Sequence, residues 1–143
     1  MKKWILLVED NADDVELTRL ALEENNIANT VIVARDGAEA IEALSAERIA
    51  DLGELPALIL LDLNLPKVDG IQVLRHIRAN ERTALVPVVI LTSSEEDRGV
   101  IESYQLGANS YVRKPVDFAE FLAAMKHLGF YWLLLNRLAP VTK

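Results

Sequence analysis

The chain has 143 residues, 51% hydrophobic and 26% charged, with a net charge of −7. That apolar content suits one domain with its own core. The lack of cysteine excludes disulfides, thiolate metal centres and cysteine nucleophiles. An acidic chain without a basic stripe argues against nucleic-acid binding. No apolar run is long enough to span a membrane. The basic start Met1-Lys2-Lys3 leads into an apolar run of only Trp4 to Val8, which is a strand rather than a signal peptide. The expectation is a cytosolic protein.

In chain order, Trp4 to Val8 reads as a buried strand ending in the acidic pair Glu9-Asp10. Asn11 and Asp14 form an N-cap with an acidic partner, and Leu17, Leu20, Ala21 and Glu24 carry helical spacing up to Asn25-Asn26. Thr30 to Ala34 is β-branched and apolar, a second strand, followed by the turn Arg35-Asp36-Gly37. Ala38 to Ala46 is a short helix with Ala40, Ile41 and Leu44 on one face. Arg48 to Pro56 reads as a long surface connection. Leu58 to Leu61 is a continuous apolar run, a strand buried on both faces, with Asp62 at its end. Pro66 and Gly70 shape a loop into a helix over Ile71 to Ala79, with Val73, Leu74 and Ile77 inward. Pro87 to Leu91 is a fourth strand, ending in Thr92-Ser93-Ser94. A helix over Glu95 to Leu106 closes on Gly107 as C′ residue. Ser110 to Arg113 is a fifth strand before Lys114-Pro115, and Asp117 caps a last helix bearing Phe118, Phe121, Leu122, Met125 and Leu128.

Strands alternating with helices imply a parallel sheet covered on both faces. Four strand ends then carry polar groups on one edge: Glu9-Asp10, Asp62, Thr92 and Lys114. Ligands in open α/β sheets bind beyond those carboxyl ends. Taken singly, the features are bland: a solvated strand end, a hydroxyl, a surface cation. Their conjunction is what points to function. Gathered carboxylates repel, and a divalent cation relieves the repulsion; an all-oxygen ligand set suits Mg²⁺. Asp62 is then available as a nucleophile toward a phosphoryl group. The Lys114 ammonium would neutralise charge, the Thr92 hydroxyl would donate to a phosphoryl oxygen, and Ser93 leaves room. His76 and His127 have no partners at metal spacing and receive no role.

The motifs Ile-Leu-Leu-Val-Glu-Asp-Asn, Leu-Leu-Asp-Leu-Asn-Leu-Pro-Lys-Val-Asp-Gly, Val-Ile-Leu-Thr-Ser-Ser and Gly-Ala-Asn-Ser-Tyr-Val-Arg-Lys-Pro come in order. From Lys3 to about Leu128 the chain resembles a response-regulator receiver domain, the phosphoacceptor module of two-component signalling. The resemblance implies a flavodoxin-like α/β fold with five helices and a five-stranded parallel sheet in the order 2-1-3-4-5. It implies phosphorylation of Asp62 by a sensor histidine kinase. Mg²⁺ would be held by Asp10, Asp62 and the backbone carbonyl of Asn64, with Glu9 acting through water. Thr92 and Tyr111 would form the switch pair. Glu9 stands where aspartate is more usual in the acidic pair. Such a protein catalyses its own phosphorylation and dephosphorylation but is not an enzyme toward other substrates.

The expected division is a receiver over 1–128 and a C-terminal extension over 129–143, with no output domain. The long link before the central strand and the tail Gly129 to Leu135 resemble the stand-alone regulators of bacterial and cyanobacterial phytochrome kinases. Output would pass by protein contact, or by relay of the phosphoryl group. The last helix is expected to continue to about Asn136. Its all-round apolar stretch Phe130 to Leu135 is expected to pack in a homodimer, alongside the face of the fourth helix, fifth strand and last helix. Three rivals fit less well. A dehalogenase-type phosphatase needs a second acid where Asn64 stands. A flavodoxin-like electron carrier needs a phosphate loop where Glu9-Asp10 stands. A never-phosphorylated binding module would not keep Asp10, Asp62, Thr92 and Lys114 together.

Overall fold

The computed structural model describes residues 4–25, 29–63, 65, 68–92, 104–108, 110–113, 119, 123 and 126–127. The elements are β1 (Trp4–Val8), α1 (Ala12–Glu24), β2 (Thr30–Ala34), α2 (Gly37–Ala43), α3 (Ala46–Leu52), β3 (Leu58–Leu61), α4 (Gly70–Ala79), β4 (Val88–Thr92) and β5 (Ser110–Arg113). The five strands form one parallel sheet in the order β2-β1-β3-β4-β5. The expected sheet order is therefore the observed one.

Every residue of β1 and β3 is buried, because the sheet is covered on both sides. Successive side chains point to opposite faces, and the core divides accordingly. Leu6, Val8, Ile59, Leu61, Val88 and Ile90 pack with Ala40 and Leu44 near α2 and with Val73, Leu74 and Ile77 of α4. Ile5, Leu7, Leu58, Leu60, Val89 and Leu91 pack with Val15, Ala21 and Leu22 of α1. Each fully buried Leu or Ile contributes about 1.5–3 kcal/mol relative to exposure. The continuous apolar runs are thus the signature of two buried faces rather than one.

The helix starts obey local capping. Asn11 Oδ1 accepts from the backbone N–H of Asp13 at 2.9 Å and of Asp14 at 3.1 Å, and Asn25 closes α1. The inward face of α1 is Val15, Thr18, Ala21 and Leu22; Leu20, which continues the helical spacing, is 41% exposed. The side chain of Asp69 accepts from Gln72 N while Gln72 Oε1 accepts from Asp69 N, a reciprocal capping box at α4.

One expectation is corrected. The stretch from Arg48 to Pro56 is not all loop, since α3 occupies Ala46–Leu52. Ser45 Oγ accepts from Arg48 N, and Gly53 ends the helix at φ 81. The helix expected over Ala38 to Ala46 accordingly runs Gly37–Ala43 and gives way to α3. α3 has no buried residue, so its apolar periodicity is weak. The helices expected over Glu95 to Leu106 and from Asp117 to Asn136 lie largely outside the described residues, as does the run Phe130 to Leu135. Tyr104 and Gln105 are helical, and Gly107 follows with φ 90. Among the described residues no helix is long and apolar enough to cross a membrane.

Candidate functional site

Parallel register brings the acidic residues together. Val8 is the partner of Leu61, so the next residues, Glu9 and Asp62, leave adjacent strands side by side. Asp62 N donates to Val8 O at 3.0 Å, and Glu9 N donates to Ala34 O at 2.9 Å. The backbone beneath both carboxylates is therefore pinned to the sheet. Asp10 follows into the turn before α1, whose first residues are tied by Asn11. The Asn11 backbone N–H also donates to Glu9 Oε2 at 3.3 Å.

Carboxylate oxygens of Glu9, Asp10 and Asp62 all lie within 4.8 Å of one another. Glu9 and Asp62 are buried and Asp10 is exposed. Two oxygens on opposite sides of one octahedral Mg²⁺ stand about 4 Å apart. The width of the cluster therefore matches a single hard cation approached from the solvent side through Asp10. With oxygen donors alone, the set fits Mg²⁺ or Mn²⁺ rather than a softer metal.

Thr92 is the last residue of β4, two positions beyond Ile90, the partner of Leu61. It therefore reaches the same edge of the sheet as Asp62. Tyr111 lies in β5 opposite Ile90, and Arg113 opposite Thr92. Asn64 and Lys114 lie outside the described residues. His76 is an exposed residue of α4 and His127 is exposed; neither joins the acidic group.

The start of α4 lies tight against the residues that follow β3. Gly70 N donates to Leu63 O at 3.1 Å. A Cβ on Gly70 would collide with Asp62 O and Leu63 Cα, so only glycine lets α4 start against the strand that carries Asp62. A Cβ on Gly37 would likewise collide with Val68. Sequence reading caught Gly70 as a loop residue and Gly37 as a turn residue, but no pattern announces that either is pressed against the Asp62 loop. It also missed Arg78. Its guanidinium donates to Gly107 O, Ala84 O and Val86 O, a staple at the other end of the sheet.

The model of the response regulator receiver domain family matches residues 5–126. The chain belongs to the response regulator receiver family. Receiver domains are signalling phosphoacceptors that interact with histidine kinases and bind a divalent metal at the acidic cluster. The receiver is 38% identical over 131 residues to response regulator Rcp1 of Synechocystis sp., covering 92% of this chain and 89% of that protein. The Mn²⁺-bound form of Rcp1 superposes with a TM-score of 0.83 at 37% identity, covering 96% of this chain and 99% of that one. The phosphorylated cyanobacterial phytochrome response regulator RcpA gives a TM-score of 0.88 at 36% identity over 98% of this chain and 100% of that one. The bacteriophytochrome response regulator RtBRR is 49% identical, with a TM-score of 0.76 over 98% of this chain and 86% of that one.

Proposed function

We propose that this receiver accepts a phosphoryl group on Asp62 from a sensor histidine kinase of the phytochrome class, in a Mg²⁺-dependent reaction. The observation that carries the reading is the meeting of Glu9, Asp10 and Asp62 at the carboxyl edge of the sheet. An Asp62 oxygen attacks phosphorus, the bond to the kinase's phosphohistidine nitrogen breaks, and the released imidazole takes up a proton. Glu9, Asp10 and Asp62 would hold the cation, with Asn64 contributing its backbone carbonyl. When bound, the cation offsets the charge of the carboxylates and of the phosphoryl oxygens. Burial of Asp62 at 6% exposure limits water around the acyl phosphate, and the protein later assists its hydrolysis. Thr92 and Lys114 act as the hydroxyl and ammonium partners of the phosphoryl group, and Tyr111 couples Thr92 to the signalling surface. Support for the partner comes from RcpA and RtBRR, which are regulators of a phytochrome and a bacteriophytochrome. Signalling would proceed by protein contact, with the C-terminal extension pairing two copies in the cytoplasm.

The test is labelling from acetyl phosphate with Mg²⁺. The wild-type protein should label on a phosphoprotein gel and Asp62→Asn should not. Full labelling of Asp62→Asn would sink the assignment.

A further inference from the structure

We propose that Gly37 is a positioning residue for the phosphoacceptor: its missing side chain lets the turn between β2 and α2 brace the loop that carries Asp62. The proposal rests on reading Asp62 as the phosphoacceptor. The turn touches both halves of the acidic group. On one side Ala34 O accepts from Glu9 N at 2.9 Å. Asp36 then caps α2, its Oδ1 accepting from Glu39 N at 2.8 Å. On the other side buried Gly37 faces Val68, where a Cβ would collide with the Val68 carbonyl oxygen and stand 2.6 Å from Val68 Cβ and 2.9 Å from Val68 C.

Backbone conformation does not call for glycine here. The positive-φ glycines among the described residues are Gly53 and Gly107, and alanine would favour a helical position by about 0.5–1 kcal/mol. Space is the reason. Carbon atoms in contact stand about 3.5–4.0 Å apart, so an alanine must push Val68 by about 1 Å. Val68 cannot yield quietly. It directly precedes Asp69, the cap of α4, and the loop is closed behind it by Gly70 N to Leu63 O. The push is therefore passed to Leu63 and Asp62, while Glu9 stays fixed by Ala34. The separation of the carboxylates changes, and with it the fit to a single cation and to an incoming phosphorus.

Gly37→Ala tests this against Val68→Gly and the double variant, by melting, Mn²⁺ titration of the otherwise metal-free protein, and labelling by acetyl phosphate. Gly37→Ala should keep its fold but melt below the wild type, bind Mn²⁺ several-fold more weakly and label about tenfold more slowly, as a misplacement of about 1 Å allows. Adding Val68→Gly, which frees the loop to swing its carbonyl aside, should recover labelling to the level of Val68→Gly alone. Wild-type Mn²⁺ affinity and labelling in Gly37→Ala, or a loss that Val68→Gly does not relieve, would overturn the proposal. Should Gly37→Ala fail to fold, Val68→Gly alone carries the test, because it removes the Cβ that Gly37 faces: its Asp62 and Leu63 amide resonances must shift and its Mn²⁺ affinity must fall. A wild-type protein that takes no label at all would instead refute the phosphoacceptor reading, and the Mn²⁺ arm would still decide the role of Gly37.

Discussion

Arg78 illustrates what one side chain can hold. Its Nη1 donates to Ala84 O at 2.9 Å and Val86 O at 2.8 Å, and its Nε and Nη2 reach Gly107 O at 3.0 and 2.7 Å. The fork joins the end of α4, the turn before β4 and the turn before β5. Burial pushes the guanidinium pKa below its ordinary value. The charged form is thus disfavoured on folding, and the penalty fades only as pH rises through that alkaline range. Near neutrality Arg78 stays charged and contributes no pH dependence. A lysine cannot reproduce the fork. Arg78→Lys should therefore lower stability by about 1 kcal/mol, the scale of a half-exposed hydrogen-bond set, read as a lower melting temperature. Labelling of Asp62 should persist, because the staple stands at the opposite edge from the acids. A second residue-scale expectation concerns Lys114: Lys114→Ala should melt close to wild type but lose the phosphorylation-dependent change. Gross unfolding would mean that the lysine serves the fold.

At the scale of elements, α3 is the part of the fold that sequence reading failed to see. Its seven residues bury none of their number, so no apolar stripe marks it. What marks it is punctuation, Ser45 at the start and Gly53 at the end. Gly53 lies at φ 81, with its N–H donating to Ile49 O at 2.9 Å. Alanine there meets the left-handed penalty of about 1–2 kcal/mol. Gly53→Ala should therefore lower the melting temperature by about 4 °C. It should leave labelling intact, because this connection ends beside Trp4, whose Nε1 donates to Glu54 O at 3.0 Å, at the sheet edge remote from Asp62. A tenfold loss of labelling would contradict that separation. The strands, by contrast, were legible because burial on both faces leaves uninterrupted runs such as Leu58 to Leu61. α4 was legible because Val73, Leu74 and Ile77 repeat at helical spacing. The acidic group was legible only through topology: parallel order places Glu9-Asp10 and Asp62 at one edge. The tight approaches at Gly37 and Gly70 depend on loop paths that no local pattern encodes.

The whole molecule sets a strongly apolar sheet against a site that repels itself. Carboxylate oxygens within 4.8 Å interact unfavourably by about 1 kcal/mol per pair in water. Exposure of Asp10 keeps its share near that lower limit, and salt reduces it further. The fold tolerates this because two core layers, one around Leu74 and Ile77 and one around Val15 and Leu22, are independent of the edge. Ligand linkage then ties stability to the metal. A cation that binds only the folded chain adds about 1.4 kcal/mol at ten times its dissociation constant, or a few degrees of melting temperature. Asp10→Asn removes one charge from the group and one ligand for the ion. In EDTA and low salt the variant should melt above the wild type, because repulsion is relieved. With Mg²⁺ added, the wild type should rise by a few degrees and the variant by much less, closing or reversing the gap. Scanning calorimetry of both proteins with and without Mg²⁺ measures this crossing. Parallel curves, with equal response to Mg²⁺, would show that Asp10 neither opposes the fold nor holds the cation.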